Sequence, residues 1–130
     1  MTRTKRAFLT PVVLFLIAIN PAGSAETKPE ARSFAAFWVQ FKTAVAKDDK
    51  EAIAEMTKLP FPYGTKHLSK ADFIKECAEL FNQKTRRCFS KAKPIKEEDR
   101  DSYSVFCGEE IFVFEKVNGE YRFTDIGMND

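Results

Sequence analysis

The chain is poor in the residues that most hydrolytic and metal-dependent chemistries need. It has one histidine, His67, and three cysteines, Cys77, Cys88 and Cys107. With no Cys-x-x-Cys and no His-x-x-x-His spacing, it offers no recognisable zinc ligand set. Gly-x-Ser-x-Gly, His-Glu-x-x-His, Walker A and Gly-x-Gly-x-x-Gly stretches are all missing, which removes the local signatures of nucleophile elbows, zincins, P-loops and dinucleotide sites. Internal repeats and low-complexity tracts are also absent. No metal and no cofactor are expected on these grounds.

A large charge of one sign is lacking too. The formal net charge is +2, from 21 basic and 19 acidic residues. Three of the basic residues, Arg3, Lys5 and Arg6, stand in an N-terminal stretch that reads as a secretory signal peptide over residues 1–25. Ala7–Ile19 is its apolar segment, short for a bilayer span, and Gly23-Ser24-Ala25 supplies small residues around a cleavage point. Cleavage would leave 18 of the 21 basic residues against 19 acids. The mature chain is then near neutral, and a nucleic-acid partner loses its electrostatic support. Export to the periplasm or the medium is expected, with no stable membrane insertion after cleavage. Residues 26–32 are polar, hold Pro29 and read as a disordered lead-in; residues 33–130 suit one domain with a modest core. Eleven of the 13 Phe fall in the mature part, so that core is aromatic.

Three helices are expected first. Ser33 can cap a helix to about Lys47, in which Phe34, Phe37, Trp38, Phe41 and Val45 form one stripe at helical period. Asp49 can cap a short helix over Lys50–Lys58. Two prolines in Leu59–Gly64 allow at most a short edge strand there, bringing Phe61 and Tyr63 to a sheet, and His67 follows in a loop. Ser69 with Asp72 resembles a capping box, and Leu68 with Phe73 a hydrophobic staple. The third helix should then run to about Gln83 with Phe73, Ile74, Cys77, Leu80 and Phe81 inward. Thr85–Lys93 reads as a strand, followed by a mixed-charge loop over Pro94–Asp101.

Ser102–Gly127 reads as a three-stranded antiparallel meander. Asn118-Gly119 is a strong type I′ hairpin signal, and Gly108-Glu109 suits a second tight turn. A two-residue turn at Asn118-Gly119 puts Phe114 opposite Phe123, Glu115 opposite Arg122 and Phe112 opposite Asp125. The second turn puts Cys107 opposite Glu110, Val105 opposite Phe112 and Tyr103 opposite Phe114. Opposed side chains share a face. One face therefore carries Tyr103, Val105, Cys107, Phe112, Phe114, Phe123 and Asp125. The other carries Ser104, Phe106, Ile111, Val113, Glu115, Arg122, Thr124 and Ile126, which is too apolar for plain solvent surface. Covering it with a second copy of the chain or a protein partner is the expected solution.

Three cysteines in an exported chain allow at most one internal bridge. Pairing Lys93 with Ser102 across the charged loop sets Phe89 opposite Phe106 and Cys88 opposite Cys107. The expected disulfide is Cys88–Cys107, with Cys77 a buried thiol.

The order of elements, with Phe61-Pro62, Leu68–Ile74 and Asn118–Tyr121 as local text, resembles the nuclear transport factor 2-like superfamily and its small secreted bacterial members. The resemblance covers Phe34 to Asp130. It implies an α+β cone in which three helices pack on a curved antiparallel sheet of about four strands and enclose a pocket. Trp38, Tyr63, Tyr103, Phe112, Phe114, Phe123 and Asp125 are the candidate pocket residues, although the helical stripe favours a core place for Trp38. A carboxylate among aromatics would have a raised pKa and could act as a general acid/base. Asp125, with Tyr63, His67 or Tyr103, is accordingly the candidate catalytic group for a cofactor-free isomerase or hydro-lyase. No motif of the superfamily maps onto these positions residue by residue. The leading expectation is a non-catalytic exported domain that binds a small apolar ligand or a protein partner.

Overall fold

The computed structural model describes residues 32–129. The expected leader, the lead-in before Arg32 and Asp130 lie outside the described residues.

The chain runs α1 (Phe34–Ala46), α2 (Lys50–Glu55), β1 (Phe61–Tyr63), β2 (Lys66–Leu68), α3 (Lys70–Leu80), α4 (Gln83–Lys91), β3 (Ile95–Lys96), β4 (Ser102–Cys107), β5 (Glu110–Val117) and β6 (Glu120–Met128). This is an α+β fold with helices packed on one face of an antiparallel sheet in the order β3-β4-β5-β6, plus a separate β1-β2 hairpin.

The helix starts follow their capping residues. Ser33 Oγ accepts the Ala36 N–H at 3.2 Å, Asp49 Oδ1 that of Ala52 at 3.2 Å, and Ser69 Oγ that of Asp72 at 3.3 Å. Each satisfies an N–H that the helix leaves orphaned in its first turn. The α1 stripe is inward, with Phe34, Phe37, Trp38, Phe41 and Val45 all buried. Lys70 reaches back from α3 to Glu51 and Glu55 at 3.3 and 2.7 Å, an exposed clamp between α3 and α2.

Two expectations fail between Phe81 and Asp101. The third helix stops at Leu80, and the expected strand over Thr85–Lys93 is a helix, α4. Asn82 breaks the chain direction and caps the new helix, its Oδ1 accepting the Thr85 N–H at 3.0 Å. Buried Thr85 and Phe89 stand four residues apart on its inner side, with half-buried Cys88 and Ala92 beside them. That spacing is helical, not the period of two that a half-buried strand would show. The strand that does pair with β4 lies later, with Ile95 opposite Ser104 and Lys96 opposite Tyr103. Phe89 is therefore not across from Phe106. Even so, Cys88 and Cys107 are bonded, with Cα atoms 5.8 Å apart, and Cys77 is free and buried. The bridge ties a helix to a strand rather than two neighbouring strands.

The meander is as expected at both turns. Asn118 and Gly119 take φ of 52° and 84°, and Gly108 takes 64°. Cys107 faces Glu110, and Phe114 faces Phe123. Beyond that point a bulge intervenes. β5 and β6 shift register between Val113 and Phe114, so that Val113 faces Asp125 and Phe112 faces Ile126. The extra residue, Thr124, donates its hydroxyl to Glu115 Oε1 at 2.8 Å. A bulge exchanges the faces of everything after it. Ile126 turns inward and packs on the core, whereas Asp125 turns outward and is exposed.

The free edge of β6 is partly closed by the segment after α2. Lys58 N–H donates to Phe123 O at 2.9 Å, and Phe123 N–H to Met56 O at 2.8 Å. Paired edges do not recruit other chains.

Phe123 is the centre of the core. Its ring lies 4.8 Å from Phe61, 5.4 Å from Phe114, 5.6 Å from Phe41 and 5.7 Å from Phe81. These separations fall in the range where tilted and edge-on aromatic pairs attract.

Candidate functional site

The residues expected to line a pocket do not converge on one. Trp38 is 6% exposed, and Phe112, Phe114 and Phe123 are fully buried against other rings. The space between helices and sheet is thus occupied by phenyl groups. Of five clefts on the described surface, none is lined by Trp38, Tyr103, Phe112, Phe114 or Phe123.

The candidate catalytic groups divide between two places. Tyr63 and Asp125 line one surface cleft, and His67 and Asp125 line another beside it, where the β1-β2 hairpin meets β6. His67 belongs to β2, opposite Pro62, and not to a loop. Asp125 Oδ1 accepts the N–H of Ile126 at 2.8 Å, a local backbone contact. Its outward position removes the aromatic surroundings on which a general acid/base role rested. Tyr103 stands apart from all three, stacked on Phe34 with ring centroids 3.7 Å apart.

A polar cluster that the sequence reading missed lies beside Tyr103. The Tyr121 hydroxyl donates a short hydrogen bond to Asp101 Oδ1. Lys116 Nζ is 3.4 Å from Asp101 Oδ2 and lies over the Tyr121 ring at 5.5 Å. Burial, reinforced by the hydrogen bond to Asp101, pushes the Tyr121 hydroxyl well above its ordinary 10.0, so it stays protonated and donates. Chiefly through that bond, the Asp101 carboxyl falls below its ordinary 3.8. A phenol so held is a poor proton donor to a substrate and is not deprotonated at neutral pH. The cluster fastens the 97–101 loop to β5 and β6, and sequence gave little hint of it, since Asp101 and Tyr121 are 20 residues apart. Burial raises the free Cys77 thiol to about 11, which makes it a weak nucleophile at neutral pH.

Two surfaces remain open. The first is the outer face of the sheet. Opposed residues put Ile95, Ser104, Val113 and Asp125 in one row and Phe106, Ile111 and Gly127 in the next. Ile95 is 57% exposed and Phe106 46%, with Ile111 and Val113 half-buried between them. The bulge removes Ile126 from the expected patch, and β3 contributes Ile95 instead. Gly127 leaves Ile111 without a neighbouring side chain on the β6 side, since a Cβ there would touch Ile111 at 3.9 Å. The second surface is a groove of about 490 Å³ between α1 and α2, with Val39, Ala44, Ala52 and Met56 forming its apolar part and Gln40, Lys47 and Glu55 its polar part.

Among the described residues, no group of three or more His, Cys, Asp or Glu side chains could hold a metal ion, and no helix is long and apolar enough to cross a membrane.

No protein-family model matches the chain, and no curated protein matches it. Among solved structures, the chain is similar to a Xanthomonas campestris protein described as a calcium/calmodulin dependent protein kinase II association domain. The identity is 12%, the TM-score is 0.40, and the match covers 79% of this chain and 91% of that one. A likeness at that level carries no argument about what this chain does.

Proposed function

We propose that this chain is an exported, non-catalytic association domain of the nuclear transport factor 2-like type, which pairs with a second copy of itself through the outer face of its sheet. The superfamily reading rests on the order of elements: helices first, then an antiparallel meander. Export rests on the composition of residues 1–25, and a disulfide suits an oxidising compartment. The observation that carries the association is the apolar strip Ile95, Phe106, Ile111 and Val113 on a sheet face with no helix against it among the described residues. Apolar patches of this kind mark interaction surfaces. A two-fold pairing would make the strip self-complementary.

Light scattering over a wide concentration series is the test. The wild type should show a mass of two chains that falls to one on dilution. Val113→Lys, which sets an ammonium in the middle of the strip, should remain one chain throughout while keeping its melting temperature. A wild type that is a single chain at every concentration overturns the proposal.

A second reading has one observation in its favour. The α1–α2 groove has an apolar floor and could take a small apolar ligand, which the filled interior leaves no room for. An isomerase or hydro-lyase built on Asp125 has no comparable support, because its carboxylate stands on the surface.

A further inference from the structure

The net charge of the chain conceals a strong segregation. Between Glu79 and Glu97 there are six basic residues and no acid, whereas residues 97–129 hold nine acids and three basic residues. The first stretch contains α4, which therefore carries only positive charge. The α1 helix is also free of acids and ends in Lys47.

α1 and α4 pack against each other, held by Trp38 and Phe41 against Phe89, with centroids 5.2 and 6.2 Å apart. A cleft of about 310 Å³ opens along their outer seam, lined by Lys42, Thr43, Ala46, Lys47, Arg86 and Ser90. The spacing explains the lining. Lys42 and Ala46, Thr43 and Lys47, and Arg86 and Ser90 are each four apart, so each pair shares a helix face. Both walls thus contribute cations.

No acid lines the cleft, although Lys47 also borders the α1–α2 groove that holds Asp49 and Glu55. Among the described residues, the cations that make ion pairs are Lys70, Lys116 and Arg122, none of which is in the cleft. Lys42 and Arg86 are half-buried, which holds their stems against the helices and their charged ends near the cleft. Like charges gathered on one cleft repel, and an anion placed among them relieves that repulsion. The two hydroxyls are already committed as donors, Thr43 to Val39 O and Ser90 to Arg87 O, both at 2.6 Å. Recognition would then fall to one guanidinium and two ammoniums. That combination suits a tetrahedral oxyanion, since the Arg fork can hold two oxygens while the lysines act as point charges.

We infer that the α1–α4 cleft binds a phosphate group. The cleft is open to solvent, so the group can be the charged end of a larger molecule, either a free phosphate ester or a lipid headgroup. The alternative is that these side chains merely lay their stems over apolar helix surface. In that case substitution would alter stability and leave no anion binding to lose.

The test is a titration of the purified protein with inorganic phosphate and with pyrophosphate at low ionic strength, followed by amide NMR shifts. Sodium chloride at matched ionic strength is the control. Saturable shifts confined to residues 42–47 and 86–90 are expected, with pyrophosphate the tighter ligand. Arg86→Glu should weaken binding at least about tenfold. Arg86→Lys, which keeps the charge and loses the fork, should weaken it severalfold. Lys47→Glu, at an exposed position, repeats the measurement should Arg86→Glu fail to fold. In parallel, sedimentation with phosphatidylglycerol vesicles separates the sources. Vesicle binding abolished by the charge reversal assigns a lipid phosphate, and binding in solution alone assigns a free ester. Absence of saturable binding in both arms, equal shifts with chloride, or binding indifferent to the charge reversals overturns the inference.

Discussion

The two faces of one sheet differ more than their composition suggests. The inner face of β4–β6 sets Val105, Phe112, Phe114 and Phe123 against α1, α3 and α4, all of them fully buried. The outer face carries Ile95, Phe106, Ile111 and Val113, residues of equal hydrophobicity, with two of them substantially exposed. Apolar side chains alone therefore do not make a core. The helices supply a second layer on one side only, and each inner ring meets several others in attractive geometry. The outer residues have neighbours on the strands and, among the described residues, no helix over them. The inner face thus makes stability and the outer face makes a surface, and three measurements can break or sharpen that distinction.

Truncation should give the widest separation. Phe123→Ala empties the centre of the ring cluster and should cost about 3–5 kcal/mol, a large share of the stability of a domain of this size. Phe106→Ala, the same change on the outer face, should cost no more than about 1 kcal/mol in the isolated chain. Urea unfolding of both variants decides it. Similar losses would mean that the outer face is packed as a core.

The disulfide comes next. It runs from α4 to Cys107 on the inner face, closing a loop with a sequence separation of 19. Replacing Cys88 and Cys107 by Ser should lower unfolding free energy by about 3 kcal/mol in the chain-entropy model. Native thiol labelling should modify neither the bridge nor buried Cys77. Fast labelling of Cys77 in the folded wild type would show that α3 opens readily over the core.

The smallest effect concerns pH at the end of the inner face. The Tyr121 hydrogen bond lowers the Asp101 pKa, so the folded state resists protonation that the unfolded chain accepts. That contribution is present above 3.8 and disappears as pH falls through the lower folded value. Tyr121→Phe removes the first cause of the shift and should flatten the fall in stability below about pH 4. Unchanged acid dependence would show that Lys116 alone holds the carboxylate.

Local chemistry determined much of this protein from the sequence. Ser33, Asp49 and Ser69 announced three helix starts because a side-chain oxygen beside a free N–H acts within a few residues. Asn118-Gly119 fixed the hairpin because positive φ is a property of those two residues. α4 was legible too, in the Asn82 cap and the Phe81, Thr85, Cys88, Phe89 and Ala92 spacing, although Thr85–Lys93 was expected as a strand. The bond between Cys88 and Cys107 was anticipated from a strand pairing that does not exist; a helix lying over β4 brings the same two sulfurs together. What only the tertiary structure decided was everything past the bulge at Thr124. One extra residue in β6 sends Asp125 to solvent and Ile126 to the core, and no local signal in the sequence marks it. The filling of the expected pocket by phenyl rings, the meeting of Asp101 with Tyr121, and the cationic seam between α1 and α4 are of the same kind. Each depends on which distant elements are packed together, and that is set by the whole core at once.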